Sequence, residues 1–206
     1  MVGQDAADQQ GEKVPLAPLP RDYNAAVDLI GRNLAAGRGE KVAIRDDRGA
    51  YSYADLAERV DRFADLVAEE VHDRLEAEGD DVEIVPMDGL DAEVFARPGV
   101  FLICSSTYGQ GDVPDNAQGF FAALERDKPD LAAVRFGVIA LGDRTYTATF
   151  CFGGKRFDAL LRSLGASRVG EVMIHDASAG TIPEEVAVEW AAAWITQFPD
   201  ARDEAA

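Results

Sequence analysis

From residue 80 onward the sequence alternates short apolar runs with stretches of helical periodicity, and this alternation restricts the chain to one architecture. The runs "DVEIVPM" (81–87), "GVFLIC" (99–104), "RFGVIALG" (135–142) and "RVGEVMIHD" (168–176) have strand length and are rich in β-branched and aromatic residues. Following the second, third and fourth of them are "NAQGFFAALERD" (116–127), "GGKRFDALLRSLG" (153–165) and "PEEVAVEWAAAWITQF" (183–198), whose apolar residues recur at helical spacing. Strand and helix in regular succession imply right-handed crossovers and a parallel sheet covered on both faces. Such a sheet binds ligands at the carboxyl ends of its strands, beside the point where strand order reverses.

The chain before residue 80 follows another pattern. Residues 1–22 are polar and then proline-rich ("VPLAPLP"), which predicts an extended, poorly ordered arm, and residues 201–206 form a tail. "DYNAAVDLIGRNLAAG" predicts a helix that Asp22 caps and Gly37 stops, "KVAIRD" (41–46) a strand, and "DRGAYS" a turn. From Ser52 the apolar residues Tyr53, Leu56, Val60, Phe63, Val67, Val71 and Leu75 keep to one helical face, a span long for a helix that crosses a small sheet. Inside it, "ADLAERV" (54–60) and "ADLVAEEV" (64–71) are near copies, and since the motif occurs only this once it marks a seam and not a solenoid repeat.

Composition removes several functions. The formal net charge of -18 argues against nucleic acid, whose phosphates need Lys and Arg to displace their counterions, and it favours a basic protein partner. No apolar run is long enough to span a membrane, and "MVGQDAADQQGEK" lacks the basic segment and apolar core of a secretory signal, so a cytoplasmic address is expected. Cys104 and Cys151 stand far apart, with His72 and His175 the chain's two histidines, so no metal centre is expected. His72, between Glu70 and Asp73, belongs on a solvated face, and Trp190 and Trp194, four apart, pack against the sheet.

Two loops at strand ends carry the chemistry. In "CSSTYGQGDVPDN" (104–116), Ser105, Ser106 and Thr107 offer hydrogen-bond donors and Tyr108 a ring face. Gly109 and Gly111 let the backbone pass close to a ligand. In "ALGDRTYTATFC" (140–151), Gly142 permits a sharp turn, Asp143 fixes it, and Tyr146 projects a second ring. Two tyrosines on adjacent loops suit a planar heterocycle by offset stacking; equally, both could be turn-capping rings on a glycine-rich rim.

With "LICSSTYGQGDVPDNAQGFFAAL" and "FGVIALGDRTYTATFCFGGKRFDALLRSLGASRVGEV", the chain resembles the flavodoxin-like FMN-binding family over about residues 64–200, closest to short flavodoxins and the flavin domains of diflavin reductases. The resemblance implies an α/β, doubly wound, parallel five-stranded sheet of order 2-1-3-4-5, with FMN as cofactor and electron transfer to a redox partner as the activity. It implies that Ser105, Ser106, Thr107, Tyr108, Gly109, Gly111 and Asn116 line one side of the flavin. Leu141, Gly142, Asp143 and Tyr146 would form the opposite wall, with Phe150 and Cys151 closing the rim, and no side chain would serve as acid, base or nucleophile.

One departure stands out. Flavodoxins open with a strand and a hydroxyl-rich loop of the type T-x-T-G-x-A-E that holds the FMN phosphate, whereas this chain has "ERVDRF" before Ala64. Residues 23–63 instead resemble the start of benzoate-CoA ligase-type acyl-CoA ligases; the ligase's adenylate loop and acceptor lysine are absent, so no ligase activity is implied. Residues 41–46 are the one unclaimed strand, and they are expected to fill the central position of the sheet, with "DDRGAYS" facing the phosphate and Ser52 capping the long helix. The leading expectation is an FMN electron carrier with an atypical phosphate site. Its rivals are an apo flavodoxin-like binding module or fusion remnant, and a ligase fragment that docks to a ligase partner.

Overall fold

The computed structural model describes residues 30, 32–45, 49–56, 63–107 and 111–198. Its centre is a parallel sheet. Strand β3 (Phe101–Ser105) pairs with β4 (Arg135–Gly142) in the register Phe101↔Phe136 to Ser105↔Ala140. The far edge of β4 is taken by two short strands in succession, β5 (Ser167–Arg168) and β6 (Met173–Asp176). The central position of β4 explains its composition: from Phe136 to Leu141 every residue is buried, so the run is continuously apolar and does not alternate.

Helices cover both faces. On one side α2 (Asp115–Asp127) and α3 (Phe152–Ser163) join a core in which Phe157 meets Phe121 edge-on at 5.2 Å and Phe120 at 6.2 Å. On the other, α1 (Phe63–Ala77) and α4 (Pro183–Ile195) close over Ile139, Leu141 and Met173. As expected from sequence, the tryptophans of α4 face the sheet. Trp194 donates from Nε1 to the Val169 carbonyl (3.0 Å), stacks on Trp190 at 5.9 Å, and lies so flat that a Cβ at Gly137 would be 2.6 Å from its indole.

Three sequence expectations are corrected. Residues 41–46 do not fill the sheet: β1 (Val42–Arg45) pairs antiparallel with β2 (Ala50–Ser52) as a separate hairpin. The reason is proximity, because a partner a few residues away costs little loop-closure entropy while entry into the sheet's centre costs much. Val42 and Ile44 stay 44% and 49% exposed, so their amides should exchange roughly a hundredfold or more faster than those of Val138 to Ala140, by hydrogen exchange with mass spectrometry. The "DVEIVPM" run forms no strand, and its residues 81–86 make no backbone hydrogen bond; the strand that should lie beside it is missing from the described residues. The "RVGEVMIHD" run is interrupted at 169–172, where Gly170 takes φ +70°. A five-stranded sheet is therefore four-stranded here, among the described residues. The long helix from Ser52 is seen as a helical turn at residues 53–56 and as α1, and its continuity through 57–62 lies outside the described residues.

Candidate functional site

Because β3 and β4 are parallel and in register, they deliver their following loops side by side: Ser105 lies opposite Ala140. Ser105 is 1% exposed and donates to the Ser106 carbonyl (3.1 Å). Thr107 then ties three elements together. Its Oγ1 donates to the Leu141 carbonyl at the end of β4 (3.1 Å) and accepts from the Gly153 amide in the first turn of α3 (3.2 Å). Replacing Thr107 by Val removes both bonds and leaves the Gly153 amide unpaired. Chemical denaturation should record a loss of about 1–2 kcal/mol.

Glycines make this approach close enough. A Cβ at Gly153 would lie 2.0 Å from the Ser106 carbonyl oxygen, and one at Gly142 would lie 2.7 Å from the Cys151 amide nitrogen. Gly111 takes φ +97°, and a Cβ there would lie 3.0–3.1 Å from the side chains of Thr149 and Phe152, so the two loops approach closely at this point. The second loop is shaped by Asp143, whose Oδ1 accepts from the Thr145 amide (2.8 Å) and hydroxyl (2.6 Å) while its carbonyl accepts from the Tyr146 amide (3.1 Å). Tyr146 is held half-buried on this turn, as are Thr149 and Phe150 beyond it. Asn116 stands half-buried in the first turn of α2, and Tyr108 and Gly109 lie outside the described residues.

Cations cluster at the rim, each already engaged. The Arg144 guanidinium sits 4.9 Å from the Phe150 ring centre and pairs with Asp176 at 3.2 Å. Lys155 lies over the same ring and donates to the Phe150 carbonyl (2.7 Å), and Arg156 pairs with Asp112 at 2.7 Å. Bonds from Ser178 and the Arg144 amide hold the Asp176 carboxyl below the usual range. Neither thiol is a nucleophile at neutral pH. Burial pushes Cys151 up to about 11 and Cys104 up to about 12, and their thiols donate to the carbonyls of Ala140 (3.4 Å) and Ala64 (3.4 Å). Both values exceed that of an unfolded thiol, so the thiols support the fold below about pH 9. That support is lost as pH rises towards 11, and the midpoint of denaturation should fall over that window. His175, 3% exposed, bonds to Thr181 through Nε2 and is part of the wall behind the loop.

The two loops stand where the ring half of an FMN is expected, although Tyr108 and Gly109 of that expectation lie outside the described residues. The phosphate half has no matching feature among the described residues, and the segment expected to supply it is otherwise engaged. Ser52 does cap its helical turn, but as a closed box: the Ser52 amide donates to Asp55 Oδ2 (2.7 Å), and the Asp55 amide donates to Ser52 Oγ (3.1 Å). This first turn therefore presents a carboxylate where a dianion would need donors. The expectation that it faces a phosphate does not fit.

Residues 63–190 match the family model described as Flavodoxin. The chain belongs to the flavodoxin family. Its match begins at Phe63, inside the seam between the two near-copied segments. It is 41% identical over 132 residues to protein MioC of Escherichia coli O157:H7, an overlap of 64% of this chain and 88% of that protein. To flavodoxin YqcA of Escherichia coli K12 it is 39% identical over 131 residues, covering 64% and 87%. Among solved structures, a cysteine-to-alanine mutant of a flavodoxin from Pseudomonas aeruginosa superposes with a TM-score of 0.58 at 32% identity, over 69% of this chain and 92% of that one. Flavodoxins bind FMN and carry electrons.

Sequence reasoning found both loops but missed the bond that joins them. Thr107 read as one of three equivalent hydroxyls, and Gly153 and Gly154 as the first two residues of a helix. A glycine pair at a helix start is costly in backbone entropy, and that cost was the available signal of a close backbone approach.

Proposed function

We propose that this chain is an FMN-dependent electron carrier that grips the isoalloxazine ring between the loop after β3 and the loop after β4 and holds the phosphate weakly. The single observation that carries the reading is the Thr107 bridge, which fixes the two loops against each other at the carboxyl ends of adjacent parallel strands. Bound FMN supplies one- and two-electron transfer. The protein's own part is to receive the ring edge on the backbone from Ser105 to Gly111, with Asn116 behind it, and to cover a ring face with Tyr146. Leu141, Gly142 and Asp143 shape the opposite wall, and Phe150 and Cys151 close the rim against water.

The proposed setting is cytoplasmic, and the proposed partner is a redox protein with a basic face. The excess of 38 acidic over 20 basic residues supports that partner, and at the rim Arg144 and Arg156 are paired with Asp176 and Asp112. Among the described residues no helix is long and apolar enough to cross a membrane. Residues 23–63 are read as a ligase-like entry segment joined to a flavodoxin that lacks its first strand, with no ligase chemistry of its own. The rival reading, an apo binding module, is favoured by one observation, the closed capping box of Ser52 and Asp55. Titration of flavin fluorescence separates them. The carrier quenches FMN saturably, and Tyr146→Ala weakens that binding by about 1–3 kcal/mol through lost burial and stacking. An unchanged affinity in the variant, or no quenching at millimolar protein, refutes the carrier.

A further inference from the structure

Parallel pairing of β4 with β6 sets Gly142 opposite Asp176, so a further loop starts beside the one that follows β4. Both loops open on a side-chain turn. Asp143 Oδ1 accepts from Thr145, and Asp176 Oδ1 accepts from the Ser178 amide (3.0 Å) and hydroxyl (2.6 Å). The two carboxylates differ in what else they reach. Asp176 Oδ1 also accepts from the Arg144 amide (3.0 Å), and Oδ2 meets Arg144 Nε at 3.2 Å, so one carboxylate holds both the backbone and the side chain of the neighbouring loop. The Asp176 side chain is 17% exposed, which limits competition from water for these bonds. From there the Arg144 guanidinium lies 4.9 Å from the Phe150 ring centre, and at the far end of the same loop the Cys151 thiol lies 3.5 Å from the His175 carbonyl. The end of β6 therefore meets the loop after β4 at its start and at its finish.

The bonds of Asp143 to Thr145 and Tyr146 are internal to the loop, so they fix the shape of the turn and not where the turn stands relative to the sheet. Its placement has to come from outside. Thr107 bonds to the Leu141 carbonyl, before the turn begins, whereas Asp176 reaches the turn itself at Arg144. We infer that Asp176 is a positioning residue of the flavin-ring site: without touching the ring, it fixes the turn of residues 143–146 against the end of β6, and with it the wall that carries Tyr146 and Phe150. The inference rests on the proposal of an FMN carrier, and it gives β6, which supplies none of the expected ring contacts, a part in the site. Charge and geometry both contribute. A carboxylate offers an acceptor to the Arg144 amide and a counter-charge to the guanidinium, and an asparagine in its place would offer only the acceptor.

Asp176→Ala, Asp176→Asn and Arg144→Ala are compared with the parent chain. Asp127→Ala, which breaks the exposed pair with Arg126 at the end of α2, is the control. FMN and riboflavin are titrated by fluorescence quenching, and hydrogen exchange with mass spectrometry is read on the flavin-free proteins over residues 143–150 and 136–141. Asp176→Ala should weaken both flavins by about tenfold and speed exchange over 143–150 by about tenfold, with 136–141 unchanged. Asp176→Asn should fall between, at about threefold, because it keeps the acceptor for the Arg144 amide. Asp127→Ala should match the parent in both readouts. Loss of stability alone would speed exchange in β4 as well, so the two segments separate positioning from folding. If Asp176→Ala does not fold, Asp176→Asn and Arg144→Ala carry the same comparison. Parental flavin affinity in Asp176→Ala, an Asp176→Asn no better than Asp176→Ala, or equal acceleration of β4 and the loop overturns the inference. A parent that quenches neither flavin refutes the carrier by itself. The exchange data then decide the anchoring separately: a loop as slow in Asp176→Ala as in the parent overturns it, and a faster loop beside an unchanged β4 upholds it.

Discussion

Replacing residues 1–63 with a β-strand and a T-x-T-G-x loop should tighten FMN binding by about a thousandfold to a millionfold. The strand would occupy the free edge of β3 and pair residues 81–86, and the loop would place backbone amides and hydroxyls at the head of α1. A hydrogen bond to a charged group is worth roughly 1.5–3 kcal/mol. About three of them to a phosphate dianion sum to roughly 4–9 kcal/mol, and about 1.4 kcal/mol is a factor of ten in affinity. Riboflavin, which lacks the phosphate, gains only from the better-ordered ring site and should tighten far less. Fluorescence quenching with both flavins on both proteins measures the effect. Equal tightening for the two flavins would show that the ring site, and not the phosphate site, is what this chain lacks.

Substitution of Gly153 by Val should cost about 3 kcal/mol of stability or more and remove flavin binding. A Cβ there points at the Ser106 carbonyl oxygen at 2.0 Å, and this neighbour is backbone that rotamer adjustment does not relieve. The loop after β3 has to lift, which breaks the bond from the Gly153 amide to Thr107. Gly119 is the matched control. It lies in α2 with nothing within 4 Å of its added Cβ, so Gly119→Ala should stabilise by roughly 0.5–1 kcal/mol through helix propensity. Urea denaturation of both variants decides the matter, and a Gly153→Val protein as stable as the parent would mean that the loops do not dock as described.

The parts of the fold that the sequence revealed are those where burial dictates composition. The run "RFGVIALG" matches β4 residue for residue, because a strand covered on both faces must be apolar throughout. The two tryptophans of α4, four residues apart, lie on the sheet as their spacing requires. Where pairing depends on a partner elsewhere in the chain, the pattern alone failed. "KVAIR" and "DVEIVP" have ordinary strand composition, yet the first found a nearer partner in β2 and the second has none among the described residues, since composition carries no information about whether a neighbouring edge exists. The site divides in the same way. The hydroxyls, glycines and tyrosines of the two loops were visible, and the closed Ser52–Asp55 box was not, because a capping residue looks the same whether its helix turn meets a ligand or its own carboxylate.

A ring site without a phosphate site shows in the ratio of two dissociation constants on the unmodified chain. FMN and riboflavin are each titrated at moderate ionic strength and followed by flavin fluorescence. FMN affinity is expected in the micromolar to millimolar range, roughly 8 to 4 kcal/mol of binding free energy, with riboflavin within about tenfold of it. Nanomolar FMN binding with riboflavin rejected by a thousandfold or more would contradict it, and would mean that this chain builds a phosphate nest of its own.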